Sequence, residues 1–382
     1  MSNGYLPYLL AQASEAFKGA YPAKKIDPSG FLKYLLKNTK PNIISTGVDD
    51  GSGVLRDVKV KYRQRAATGE STNTDDCSID ARPVYLELTV PATTLFKKSI
   101  MLDDDIIARY QIEAQKIVKF NSQGQPAFGT EPGMVMQELF EIIMEHAGAL
   151  LNDVNNSLLT AQASAFGKNI DYLVSSVPSA AAQSINFTKS SANNPLTDGM
   201  TAVLNQLMDN GINGKTATII GSGLINAYML QQAGVIGWNQ FGISTPKLGE
   251  TDYMYDPFTG SAWGANQFGI FERDAIQLVT VNKNRGSKVV DLGTHKATTI
   301  TLPIVDYTGD GTLEAFTFDM YLDYVPCPTT KSIGGNSTSV GRGWQLTLIA
   351  NVATVGIPSD AYKTGDRLAG TNGTLRFTAT NN

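Results

Sequence analysis

TEPGMVMQELFEIIMEHAGALLNDVNNSLLTAQASAFG, residues 130–167, is the stretch on which the fold turns. Met136, Leu139, Phe140, Ile143, Ala147, Leu150, Leu151, Val154, Leu158, Ala161 and Ala165 recur at the spacing that lines one face of an α-helix. Thr130 is placed to cap it, Glu131 and Pro132 suit its first turn, and only Gly148 weakens the interior. Unbroken over 130–167, the helix would be roughly 50 Å long at 1.5 Å per residue. It carries Glu131, Glu138, Glu141, Glu145 and Asp153, and no lysine or arginine lies between Lys119 and Lys168. Acids in its first half suit the positive end of the helix dipole, which is the ordinary explanation for them.

Upstream the period changes from helical to two. Val58, Val60 and Tyr62 alternate with Lys59, Lys61 and Arg63, and Val84, Leu86, Leu88 and Val90 alternate with Tyr85, Glu87 and Thr89. Between them, residues 67–76 are too polar to bury, so the pattern predicts a long two-stranded hairpin with a loose tip. An isolated hairpin is marginal in water and needs a surface to lie on. Its first strand carries Arg56, Lys59, Lys61, Arg63 and Arg65, so one chain holds both a basic ribbon and an acidic helix. Before the hairpin, Leu6, Leu9, Leu10, Ala13, Ala16 and Phe17 form one short amphipathic pattern, and Phe31-Leu32-Lys33-Tyr34-Leu35-Leu36 after Asp27-Pro28 forms a second. Both are too short to stand alone and must dock on something; residues 1–47 read as an arm.

Downstream, a helix (197–210) leads to a strand (215–220) and a short helix (224–232). Strand patterns then dominate at 275–281, 298–305, 315–325 and 344–355, joined by polar loops. No helix or strand is assigned to the segments 240–266 and 356–382. The class is α+β.

With 31 basic against 35 acidic residues in 382, the net charge of −4 leaves no basic stripe for gripping nucleic acid. Charged residues are 17% of the chain against about 25% in ordinary domains, a composition suited to a protein that hides much of its surface against copies of itself. Cys77 and Cys327 are too few for a disulfide framework or a four-cysteine zinc site and read as free thiols. The first residues lack the basic and apolar regions of a signal peptide, and no apolar run approaches the ~18 residues of a membrane span.

The motifs that suggest chemistry are weak. Gly221-Ser222-Gly223 follows a predicted strand and opens a helix, where a dinucleotide pyrophosphate would sit. Asn226 stands in place of the third glycine, and no acid follows before Glu250, so a tight turn is the better reading. Gly214-Lys215-Thr216 lacks the first glycine of a phosphate loop, and Asp306–Gly311 has Thr317 where a calcium loop needs glutamate. His146 on the long helix and His295, placed in a loop, have no catalytic neighbours in sequence, and Asp103-Asp104-Asp105 reads as a solvated turn. No catalytic set, cofactor or metal is expected.

The order of elements resembles the major capsid proteins of tailed bacteriophages, the Hong Kong 97-type fold. The likeness is carried by PLTDGMTAVLNQLMDNGINGKTATIIGSGLINAYMLQQAGVIGW (195–238), by FGIFERDAIQLVTV (268–281), and by YLDYVPC and GRGWQLTLIANVATVG near the carboxy-terminus. It implies an N-terminal arm (1–47), an extended hairpin loop (48–100), a peripheral domain (101–195 and 275–345) with the spine helix 130–167, and an axial domain (196–274 and 346–382). It also implies a virion shell of hexamers and pentamers assembled in a host cytoplasm. Such a shell encloses DNA without sequence-specific binding, and works with a portal. Only about fifty residues precede the hairpin, with no coiled-coil run, so scaffolding is expected to be a separate protein. The charge asymmetry suggests that Arg56, Lys59, Lys61, Arg63 and Arg65 lie against Glu138, Glu141 and Glu145 of a neighbouring subunit. The rival readings are a nonviral nanocompartment shell of the same fold, an α+β enzyme using the Gly221–Gly223 turn, and a β-rich tail component, which the long helix argues against.

Overall fold

The computed structural model describes residues 29–38, 42–45, 48–49, 55–56, 58–63, 85–90, 94–102, 119–120, 126–127, 134–171, 175–179, 182–187, 199–212, 216–229, 252–282, 290–291, 295–302, 316–326, 330–333, 336–339, 342–357 and 370–380. In chain order the main elements are α1 (Gly30–Lys37), β1 (Asn42–Ser45), β2 (Val58–Arg63), β3 (Tyr85–Val90), β4 (Thr94–Leu102), α2 (Met134–Ala163), β5 (Gln183–Asn186) and α3 (Gly199–Asp209). They continue as β6 (Ala217–Gly221), β7 (Asp252–Tyr255), β8 (Gln267–Glu272), β9 (Ile276–Thr280), β10 (Val290–Asp291), β11 (His295–Leu302), β12 (Phe316–Pro326), β13 (Arg342–Gly356) and β14 (Thr374–Thr380). The architecture is α+β. Two compact units divide the chain, one drawing on Thr94–Asp153 and Thr280–Val352, the other on Ser29–Thr93, Val154–Val279 and Ala353–Asn382. The division falls inside α2 and inside β13.

The second unit is organised around a five-stranded mixed sheet in the order β5, β14, β8, β6, β7. The outer pairs β5–β14 and β6–β7 are parallel, and the inner pairs are antiparallel. Successive side chains of a strand point to opposite faces, and here both faces are covered. On one, Ile219, Phe268, Ile270, Leu375 and Phe377 join Val203 and Leu207 of α3 and Ile225 in a continuous buried cluster. In the other cluster, Phe271 packs against Phe31 and Tyr34 of α1 at ring separations of 5.6 and 5.2 Å, with Trp263 and Phe166 alongside at 5.9 and 5.7 Å. Two covered faces explain why β8 reads as the unbroken buried run Phe268–Phe271 rather than as an alternation.

Helix α3 ends in a glycine cap. Gly211 has φ +68°, Ile212 N–H donates to Leu207 O at 2.8 Å, and Gly211 N–H donates to Met208 O at 3.1 Å. This satisfies two carbonyls that a helix end leaves open, and it brings Ile212 onto Leu207 in the same core.

In the first unit β13, β12, β11 and β10 lie side by side in an antiparallel sheet, and β4 pairs with β13 from Leu102↔Trp344 to Thr94↔Val352. Phe316, Phe318, Met320 and Leu322 of β12 and Trp344, Leu346, Leu348, Ala350 and Val352 of β13 are buried at alternate positions and form the apolar face of this sheet, while Asp319, Thr347 and Asn351 are buried among the intervening positions. Leu139, Ile143, Ala147, Leu150 and Leu151 form the buried stripe of α2 in this unit.

Several expectations change. The long helix stops at Ala163, with residues 130–133 outside the described residues, so its 30 residues span about 45 Å. Ser164 N–H and Ala165 N–H turn back to Ala161 O and Gln162 O, tightening the last turn. The chain then runs past Asn372 so closely that a Cβ on Gly167 would overlap that side chain, and a continued helix has no room. The hairpin of β2 and β3 forms with Val58↔Val90 and Arg63↔Tyr85 as its end pairs, but β1 adds a third strand on β2. Residues 94–100, expected in the hairpin, belong to β4 in the other unit, where β13 offers nine residues of edge to pair with. His295, expected in a loop, opens β11, because its register partner Asp323 extends β12 that far. The segment Gly30–Lys37, read as part of an arm, is buried within its own chain. The stretch 374–380, to which no element is assigned from the sequence, is β14, a strand between β5 and β8. The 6–17 pattern, the hairpin tip, Cys77, Cys327, Asp103–Asp105 and the 306–311 loop lie outside the described residues.

Candidate functional site

Assembly surfaces are built from exposed side chains, and both charged sets named above contribute some. On β2, Lys59 and Lys61 are exposed and point to one face, while Val60 between them is buried. Their register neighbours are Ser45 and Thr89 for Lys59, and Asn42 and Glu87 for Lys61. Glu87 is exposed, so part of the ribbon's positive charge faces an acid in its own sheet. The ribbon is also shorter than expected. Arg56 belongs to a separate pair, Val48–Asp49 with Leu55–Arg56, and the strand begins at Val58. Arg63 ends β2, and Arg65 lies outside the described residues.

On α2, Glu141 and Glu145 are exposed one turn apart, and Glu138 lies one turn earlier on the same helix. Asp153, two turns further along, is taken up within the chain by Lys98 of β4 at 2.9 Å. Both partners of that pair are well exposed, so it adds at most about 1 kcal/mol. His146 Nδ1 donates to Ile142 O, 2.9 Å away in its own helix.

A second arrangement was invisible in the sequence. Helix α1 presents its first N–H groups to buried side chains from distant segments, since Ser29 makes no side-chain cap. Phe31 N–H donates to Asp256 Oδ2 and Leu32 N–H donates to Asn155 Oδ1, each at 2.9 Å. Asn155 Nδ2 donates to the same Asp256 Oδ2, and Phe258 N–H donates to Oδ1. Asp256 and Asn155 are both fully buried. Burial pushes the Asp256 carboxyl above its ordinary range, and the bonds from Phe31, Asn155 and Phe258 pull it partly back. At the other end of α1, Tyr34 donates to Glu272 O at 2.7 Å, Asn38 donates to Ile276 O at 2.6 Å, and Lys37 pairs with Asp252 at 3.2 Å. The helix is held at both ends and along its apolar face.

The C-terminus of α2 is held in the same manner, from outside. Arg376 of β14 donates to Trp263 O at 2.6 Å, to Gln267 Oε1 at 2.6 Å and to Ala163 O at 3.4 Å, and its guanidinium lies 5.8 Å from the centre of the Phe166 ring. Trp263 Nε1 donates to Leu159 O and Asn372 Nδ2 to Ala165 O, each at 2.9 Å. No basic residue occupies the last turn of α2; these partners supply its cap.

The Gly221–Gly223 turn is filled by its own chain. A Cβ on Gly221 would come within 2.6 Å of Ile225 and 2.8 Å of Phe268, and one on Gly223, at φ +62°, within 2.8 Å of Asn266 Oδ1. Asn226 Oδ1 accepts from Tyr253 Oη at 2.9 Å, and Ser222 Oγ meets Thr259 Oγ1 at 2.7 Å. The glycines there serve close packing, the tight-turn reading. Among the described residues no group of three histidine, cysteine or acidic side chains is placed to hold a metal ion, and no helix is long and apolar enough to cross a membrane.

No protein-family model matches the chain. No curated protein matches it either. Solved structures do. The Cyanophage A-1(L) capsid asymmetric unit is similar over 94% of each chain, at 14% identity and a TM-score of 0.47. A Mycobacterium phage Cain structure is similar over 94% of this chain and 92% of its own, at 12% identity and a TM-score of 0.43. One from Mycobacterium phage Adephagia covers 100% of this chain and 98% of its own, at 11% identity and the same TM-score of 0.43.

Proposed function

We propose that this chain is the major capsid protein of a tailed bacteriophage, a structural protein that assembles with copies of itself into an icosahedral shell around double-stranded DNA. The observation that carries the reading is the interleaved build. Two compact units are each drawn from separate stretches of chain, and the 30-residue α2 and 15-residue β13 run on from one into the other. That is the arrangement implied by a peripheral domain with a spine helix and an axial domain that the chain enters twice. In this reading the peripheral domain is the unit holding α2 up to Asp153, and the axial domain is the five-stranded sheet with α3.

The finer assignments follow from the same reading. The hairpin of β2 and β3 lies over an adjacent subunit in a hexamer or pentamer, with Lys59 and Lys61 toward the Glu141 and Glu145 face of its α2. Arg56, Arg63, Arg65 and Glu138 extend the two charged sets. Each exposed pair contributes only about 0.2–1 kcal/mol, but a closed shell repeats it at every subunit. A net charge of −4 keeps the wall from adhering to packed DNA. Scaffolding and portal are separate proteins, and assembly takes place in the host cytoplasm. Gradient sedimentation tests this: beside a scaffolding protein the chain should run as particles of hundreds of subunits. A monomer or dimer under every condition would remove the proposal.

A further inference from the structure

We propose that Asn372-Gly373 is a self-modifying site, at which the folded chain converts an asparagine that clamps the end of α2 into aspartate or isoaspartate. The sequence contains Asn-Gly at 3–4, 210–211, 213–214 and 372–373, the pair in which the following amide nitrogen reaches the side-chain carbonyl with least steric hindrance. The structure describes the second and the fourth, and it treats them oppositely.

Asn210 is closed to the reaction. It is buried, its Nδ2 donates to Ile170 O and Gln206 O at 3.0 and 2.8 Å, and its Oδ1 accepts from Ile170 N–H at 2.9 Å. The nucleophile is occupied as well, because Gly211 N–H donates to Met208 O in the α3 cap. Attack there would dismantle the helix end.

Asn372 is half-exposed, and two donors meet its side-chain oxygen. Its Oδ1 accepts from Thr374 Oγ1 at 2.6 Å and from Thr374 N–H at 3.2 Å. These two donors face the oxygen on which negative charge develops when Cγ is attacked, the role of an oxyanion hole. Gly167 N–H donates to Thr374 Oγ1 at 3.1 Å and orients the hydroxyl toward Oδ1. Nδ2, the departing nitrogen, is fixed by its bond to Ala165 O. Gly373 sits at φ +73°, a conformation that glycine adopts without strain.

In the reaction Gly373 N bonds to Asn372 Cγ and the Cγ–Nδ2 bond breaks. The Gly373 amide proton goes to the departing nitrogen, which leaves as ammonia. Water then opens the cyclic imide at either carbonyl, giving aspartate or isoaspartate with no change in oxidation state. The product cannot donate to Ala165 O, and it places a negative charge beside the carbonyl end of α2, where the dipole disfavours it. The isoaspartate form also adds a backbone atom just before β14.

The test is peptide mass mapping of the intact folded chain held at mildly alkaline pH, with the same chain in denaturant as the reference. The expected result is modification at Asn372 at the unfolded-chain rate or faster, with Asn210 silent in the fold and reactive in denaturant. Thr374→Val should slow Asn372 by on the order of tenfold in the fold and leave the denatured rate unchanged, whereas Thr374→Ser should keep the native rate. Continued silence of Asn210 in each variant shows that it is still folded. Modification of Asn372 tenfold or more below the unfolded-chain rate, or a Thr374→Val rate equal to wild type, would overturn the proposal.

Discussion

Asp256→Ala is the sharpest probe of how α1 is held. The substitution leaves Phe31 N–H and the Asn155 amide buried without their acceptor, and Phe258 N–H without its own. Each fully buried orphan costs about 1–3 kcal/mol, so the first two together cost roughly 2–6 kcal/mol. Removing a carboxyl that was itself costly to bury offsets part of this, as the upward push on its pKa shows. The expected net loss is about 3 kcal/mol at neutral pH, or roughly 6–12 °C in Tm for a unit of this size. Denaturant unfolding followed by fluorescence reads it directly, because Trp263 lies 6.3 Å from Phe31 and reports on α1. Asn155→Ala should overlap with Asp256→Ala in a double-mutant cycle, since the two side chains share one acceptor oxygen and one helix end. A loss below about 1 kcal/mol, or strict additivity, would refute the view that this buried pair anchors the helix.

Other outcomes follow from the same geometry. The Asp256 carboxyl titrates above its unfolded value, so its linkage favours the fold fully below the ordinary carboxylate range and fades as pH rises through the folded pKa. Wild-type stability should therefore fall over that interval relative to Asp256→Asn in parallel unfolding titrations. Arg376→Met strips the donors from Trp263 O, Gln267 Oε1 and Ala163 O while keeping volume, and should cost about 2–4 kcal/mol in thermal unfolding, whereas a surface arginine would cost almost nothing. Gly223→Val should lower Tm by several degrees, because the new side chain meets Asn266 at a positive φ; unchanged stability would leave the packing account of this turn without support. Reversing Lys59, Lys61 and Arg63 to glutamate should abolish fast-sedimenting particles and leave the Tm of the unassembled chain unchanged. Normal particle yield would end the ribbon-to-helix pairing.

Period carried most of what could be read from sequence. The apolar stripe of α2 and the alternations of β2, β3, β12 and β13 are local signals, set by side-chain direction along one element. Leu375, Phe377 and Ala379 alternate just as plainly with Thr374, Arg376 and Thr378, so β14 is legible on the same ground. The helix end at Ala163 was not legible, because it depends on Asn372 arriving from 207 residues away. Asp256 and Asn155 looked like ordinary polar residues for the same reason: their meaning lies in the N–H groups of α1, 225 and 123 residues distant. The alternation of buried Val60 with exposed Lys59 and Lys61 is likewise local, whereas the placing of Glu87 opposite Lys61 needs the register of β2 with β3.

Electron microscopy of particles formed by this chain with a scaffolding protein tests the central claim most directly. The account predicts closed shells whose capsomers are rings of six and five copies of the chain, with the β2–β3 hairpin of each crossing its neighbour. A uniform population of single or paired chains, with no rings, sheets or shells under any condition, would contradict it.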